Sequence, residues 1–176
     1  MAEPILTEDQ ARQSLARWFG PDRDFMMMET RHGWVGRAIL TDRELEQGLG
    51  LGLGNYVLNK QTGVITAHRS LPPKMIGEEF DQAIETGRPI QGGQVYPPLH
   101  RISLLQISED PNTVQYEMQV TALEQTENPS TTQQLTITKN PYSFHPTDSL
   151  AASAASWAEA RSRATGTWPT EGSFEQ

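Results

Sequence analysis

The side chains in this chain that could do chemistry are four histidines, two groups of carboxylates and a run of glycines. His32, His68, His100 and His145 stand far apart, with no HxxxH or HxH pair. A metal site usually draws at least two ligands from one local element, and that spacing is missing. Nucleophilic catalysis would need a serine on a Gly-x-Ser-x-Gly elbow, and none occurs. His32 falls in a turn and His68 at a strand edge, so both read as surface or boundary residues. Cysteine is absent, which removes disulfides, thiolate metal sites and cysteine nucleophiles. No catalytic, metal-binding or cofactor-binding set is therefore expected, and the chain reads as non-enzymatic.

The carboxylates point to binding. Glu78, Asp81 and Glu85 recur at i, i+3 and i+7, with Glu79 beside them, opposite Phe80 and Ile84 on a helix. A glycosidase pair would need a cleft between its acids. One acidic helix face is a solvated surface, or a contact for a basic partner. Glu109-Asp110, in a turn, has the same character. The run Gly48-Leu49-Gly50-Leu51-Gly52-Leu53-Gly54 invites a phosphate-loop reading, but Leu53 and Asn55 stand where G-x-G-x-x-G would need glycine. A strand follows it where that motif needs a helix. It reads as a flexible or bulged loop leading into a hairpin, or as a binding loop presenting Leu51 and Leu53 to a partner.

The elements that must position these residues can be read from period and punctuation. Thr7-Glu8-Asp9-Gln10 is a capping box opening a helix with Ala11, Leu15, Trp18 and Phe19 on one face, ended by Gly20-Pro21. Residues 24–30 and 33–40 read as antiparallel strands around Arg31-His32, with Trp34 serving the core. Met26-Met27-Met28 fits a strand sandwiched between the first helix and another layer. Thr41–Glu44 is a second capping box, opening a helical turn to about Gln47. Residues 54–69 read as a half-buried hairpin turning at Lys60-Gln61-Thr62-Gly63. A helix over 74–87 directs Ile76, Phe80, Ala83 and Ile84 inward. Residues 91–98 read as a loop or linker. Strands are expected over 101–108, 113–124 and 133–139, with turns at Asp110-Pro111-Asn112 and Asn128-Pro129-Ser130. Residues 140–146 read as irregular, 149–164 as a helix with Leu150, Ala154 and Trp157 on one face, and 165–176 as a loosely ordered tail.

The expected class is α+β: an antiparallel sheet of about six to seven strands packed by an N-terminal, a central and a C-terminal helix. Residues 1–88 form one α+β domain, and 89–164 extend its sheet, because one C-terminal helix is little cover for three long amphipathic strands. The chain has 176 residues, a formal charge of −8 and a pI near 5.0. That balance argues against nucleic acid, which needs clustered Lys and Arg. It favours encounter with a basic partner. No apolar run approaches the roughly 20 residues that span a bilayer, and MAEPILTEDQ lacks the basic and apolar regions of a secretory signal. No membrane association is expected, and the cytoplasm is the expected compartment.

The helix ending in Trp18-Phe19, the strand Gly33-Trp34-Val35, the hairpin Tyr56–Val64, Pro72-Pro73 and the acidic Glu78-Glu79-Phe80 helix together resemble the immunity protein 35 family over residues 6–88. In place of a glycine-proline step before the hairpin, this chain has Gly54-Asn55. The family comprises small bacterial α+β domains, many encoded beside polymorphic toxins. The resemblance implies an antitoxin-like immunity protein that neutralises a cognate toxin by blocking its active site, without catalytic groups of its own. The contact residues then expected are Glu78, Glu79, Asp81, Glu85, Glu109, Asp110, Leu51 and Leu53. A chaperone or adaptor for a secreted effector would share these features. A small-molecule-binding domain or enzyme built on the glycine run and the histidines is the remaining class.

Overall fold

The first helix is set by its own sequence. In the computed structural model, Thr7 caps α1 (Glu8–Phe19): its hydroxyl accepts from the Gln10 N–H at 3.2 Å, and Gln10 Oε1 accepts from the Thr7 N–H at 3.0 Å. β1 (Phe25–Glu29) and β2 (Gly33–Ala38) pair antiparallel around Arg31-His32. Thr41 caps the short α2 (Asp42–Glu46), with the Glu44 side chain reaching back to the Thr41 N–H. β3 (Asn55–Asn59) and β4 (Ile65–His68) make the hairpin. Its turn is fixed by Asn59, whose Oδ1 accepts from the Gln61 and Thr62 N–H groups, and by Gly63 at φ +71°. α3 (Pro73–Thr86) ends on a left-handed Gly87, and β5 (Gly93–Tyr96) then adds to β4.

The structure describes residues 3–5, 7–124, 127 and 129–176. They divide into two units, Met1–Pro97 and Pro98–Gln176. The α+β class holds, but the strands form two five-stranded sheets, not one of six to seven.

In the first unit the sheet order is β1-β2-β3-β4-β5, antiparallel throughout. Strand alternation sends Phe25, Trp34, Leu58 and Ile65 to one face, where Ala11 and Leu15 of α1 meet them. Val35 and Val57 point to the other face, against Ile76 and Phe80 of α3. The sheet is thus covered on both sides, so the hairpin expected to be half-buried is buried on both faces. This also accounts for the methionines. Met27 packs toward Leu15, Met28 lies under Gly77 of α3, and Met26 is left half-exposed. Ile84, expected inward, is exposed: it stands two turns beyond Gly77 on the same side of α3, in the last turn of the helix.

In the second unit β6 (His100–Glu109), β7 (Thr113–Ala122), β8 (Ser130–Lys139) and β9 (Tyr142–His145) run as an antiparallel meander. α4 (Ser149–Thr165) packs on one face, and β10 (Glu171–Glu175) pairs with β6, giving the order β10-β6-β7-β8-β9. One helix does suffice as cover. Ala151, Ala154, Ala155 and Ala158 are fully buried, and with side chains this small α4 can sit close to Ile102, Tyr116, Met118, Leu135 and Ile137. These strands therefore need no share in the first sheet.

Three short strands correct the sequence reading. Residues 91–98 carry β5, 140–146 carry β9, and the tail expected to be loosely ordered carries β10. Each is an edge strand ordered by a neighbour's backbone, so its own residues need no apolar period. The tail is also held by Tyr116, whose buried hydroxyl donates to the Pro169 carbonyl at 2.9 Å. Burial, reinforced by the Glu109 charge, pushes that phenol up to about 12. Of the expected Asn128-Pro129-Ser130 turn, Asn128 lies outside the described residues.

Candidate functional site

The acids of α3 are placed by the helix, but most of them face their own unit. Asp81 lies one turn beyond Gly77 and reaches the β1–β2 turn. Its carboxylate accepts from the Thr30 hydroxyl, the Arg31 N–H at 3.0 Å and the His32 N–H at 2.8 Å. Burial disfavours the charge, but these three donors outweigh it and hold the carboxyl below its ordinary range. Glu85 pairs with Arg31 and lies 3.2 Å from His32 Nε2. Glu79 is bound by Arg69 at 2.5 Å, and its other oxygen is buried. Only Glu78, 3.9 Å from Lys74, keeps a largely exposed carboxylate. The face read as solvated and opposite Phe80 is in large part a clamp between α3 and the neighbouring turns.

Glu109 and Asp110 belong to the second unit and are structural in the same sense. The Lys139 ammonium donates to Glu109 at 2.7 Å and holds its carboxyl below the usual range. Asp110 closes the β6–β7 turn by accepting from the Asn112 and Thr113 N–H groups and the Thr113 hydroxyl, which lowers its pKa as well. The eight expected contact residues thus fall into two units, six in the first and two in the second.

The first unit also turns a set of leucines outward. Between β2 and β3, residues 39–54 form a lobe built on α2. Its leucines do not reach the core: Leu45 and Leu49 are about half exposed and Leu51 is 90% exposed, with half-exposed Ile39 at the lobe's root. Leu53 is partly buried. The lobe is anchored. Arg23 grips Glu44 with two bonds, at 2.8 and 3.1 Å, and these, followed by the Thr41 N–H, bring the Glu44 carboxyl down to about 2. At the far end the Arg37 guanidinium donates to the Leu53 carbonyl at 3.1 Å. Gly48 and Gly52 adopt φ of +76° and +72°, which lets the chain fold back tightly between the leucines. Sequence reasoning singled out Leu51 and Leu53 and missed Ile39, Leu45 and Leu49. The available signal was a set of leucines beside a five-residue helix, with no periodic place in any core.

His68, read as a boundary residue, is buried at 9% exposure beneath Phe80. Its Nε2 is 2.7 Å from the Thr66 hydroxyl. Alternation puts it on the α3 face of β4, and that helix covers it. Among the described residues no three His, Cys, Asp or Glu side chains are grouped to hold a metal ion, and no helix is long and apolar enough to cross a membrane.

Comparison of the chain with protein-family models, with curated proteins and with solved structures gave no match.

Proposed function

We propose that this chain is a protein-binding immunity protein that neutralises a cognate bacterial toxin by covering its active site, and that the leucine lobe is its principal contact. The observation that carries the reading is Leu51, 90% exposed at the tip of a lobe whose two ends are fastened by Arg23–Glu44 and Arg37–Leu53. A soluble domain gains nothing in its own stability from leucines held in water. Contiguous exposed apolar residues on an ordered support mark interaction sites. Pre-ordering the lobe lowers the entropy lost on docking. The likeness of residues 6–88 to the immunity protein 35 family supplies the kind of partner. The net charge of −8 favours encounter with a basic toxin surface through long-range steering, with exposed Glu78 among the contributing charges.

The test is co-expression in a bacterial host with the toxin domain encoded beside this chain. The intact chain restores growth and co-purifies with the folded toxin. Leu51→Asp abolishes rescue while its urea midpoint stays at the wild-type value. Full rescue by Leu51→Asp would remove the lobe from the contact. Co-purification with an unfolded or N-terminal segment of a secreted protein, and not with a folded toxin domain, would replace the reading with that of a chaperone.

A further inference from the structure

A cavity of about 560 Å³ opens in the first unit along α1. Its volume lies within the range of ordinary ligand sites. One wall is a single helix stripe: positions 10, 13, 14 and 17 recur at i, i+3, i+4 and i+7, and they include Gln13, Ser14 and Arg17. The opposite side is formed by the segment before α1 and by the β3–β4 turn. Ile5 of that segment is fixed by its N–H donating to the Lys60 carbonyl at 2.8 Å and by its carbonyl accepting from Trp34 Nε1 at 3.3 Å. Tyr96 and Pro97 complete the lining, and the Tyr96 ring packs against Trp18 at 5.6 Å.

The chemistry of this lining is uneven in a useful way. Apolar surface from Ile5, Tyr96 and Pro97 alternates with the Gln13 amide and the Ser14 hydroxyl, which can both donate and accept. Arg17 is exposed in the last turn of α1, and its side chain has neither an ion pair nor a hydrogen bond among the described residues, whereas most arginine side chains of the unit are engaged. A guanidinium offers a planar fork matched to a carboxylate. Glu3 is the one acid on the lining. From position 10 to Arg17 the stripe spans about 10 Å of helix, which matches about three extended residues.

We infer that this cavity binds the free C-terminal end of a peptide, with the terminal carboxylate on Arg17 and the last apolar side chains against Ile5, Tyr96 and Pro97. Gln13 and Ser14 then serve the peptide's amide groups. This site is independent of the leucine lobe.

The probe is a pool of acetylated tripeptides ending in Leu or Phe, prepared as free acids and as C-terminal amides, added to the isotope-labelled 176-residue chain. Free acids should shift the amide resonances of Arg17, Thr62 and Tyr96 in a saturable way, with amides at least tenfold weaker. Arg17→Gln should cut the affinity of the acids at least tenfold. Arg17→Lys, which keeps the charge at the helix end but not the fork, should cut it severalfold, and Arg43→Gln should leave it unchanged. Absence of shifts with the free acids, equal binding of acids and amides, or full binding by Arg17→Gln would overturn the assignment. If free benzoate or hexanoate binds as tightly as the peptide acids, the site belongs to small carboxylates and not to chain ends.

Discussion

Replacing Asp81 with alanine should unfold the first unit far more easily than an ordinary surface substitution would. The carboxylate takes three donors from the β1–β2 turn: the Thr30 hydroxyl and the Arg31 and His32 N–H groups. The Thr30 and His32 bonds are partly buried, and a hydrogen bond to a charged group is worth about 1.5–3 kcal/mol. The exposed Arg31 N–H regains water at little cost. Taking the lower figure for the two sheltered bonds gives about 3 kcal/mol, and relief of the carboxylate's own desolvation brings the net loss to about 2–3 kcal/mol. For a unit of this size each kcal/mol moves Tm by about 4–8 °C, so the midpoint should fall by about 10–20 °C. Asp81→Asn, which keeps one acceptor oxygen, should lose about half as much. The sign with pH also follows. Because the folded-state pKa is lowered, the advantage of the wild type is complete above the ordinary carboxylate value near pH 4 and is lost as pH falls through the folded value. Urea unfolding at pH 7 and pH 3, followed by circular dichroism, measures both effects. Glu78→Ala is the comparator, expected within about 0.5 kcal/mol of wild type. A loss for Asp81→Ala as small as that of Glu78→Ala would refute the clamp and return Asp81 to the solvated face read from the sequence.

Two further outcomes test the parts of the structure that sequence reasoning did not foresee. Burial, with the Arg69 charge adding and the Glu79 charge opposing, holds the His68 imidazole below its ordinary value. The unfolded chain therefore takes up a proton near pH 6.5 that the folded chain refuses, and stability should fall as pH drops below that point. His68→Gln should flatten this slope between pH 7.5 and pH 5.5 in urea titrations, and identical slopes would count against burial of the ring. In β10, a methyl group at Gly172 would overlap the Trp157 ring, which is stacked on Phe174 and under Arg161. Gly172→Ala should accordingly cost about 1–3 kcal/mol, partly recovered in combination with Trp157→Leu. A neutral Gly172→Ala, read by thermal melting, would mean that the tail does not dock as β10.

The sequence by itself determined the elements whose signals are local. Thr7 with Gln10 and Thr41 with Glu44 announced their helices because a capping box is closed by residues three apart. The hairpin was legible because period-2 alternation on both sides of Gly63 marks a turn within a few residues. The long strands of the second unit, β6 to β8, were legible because alternation of the kind seen along β7 records one dry face. The first sheet's two covered faces were foreshadowed by Met26-Met27-Met28, which one layer alone cannot bury.

Only the tertiary structure decided what each charged group and each short strand is for. Glu78, Asp81 and Glu85 share a helix stripe, but a stripe does not say whether a turn 50 residues away is waiting for the carboxylate. For Asp81 it is, and for Glu78 it is not. β5, β9 and β10 became strands because a neighbouring strand offered an unpaired edge, and backbone hydrogen bonding carries no side-chain signature. The leucines of residues 45–51 carried the opposite ambiguity. Apolar residues near glycines belong to a core or to a contact, and only the fold left them outside, on a lobe fastened by Arg23 and Arg37. Local patterns specify conformation because their partners are adjacent in the chain. The use of a side chain is set by what the fold brings against it.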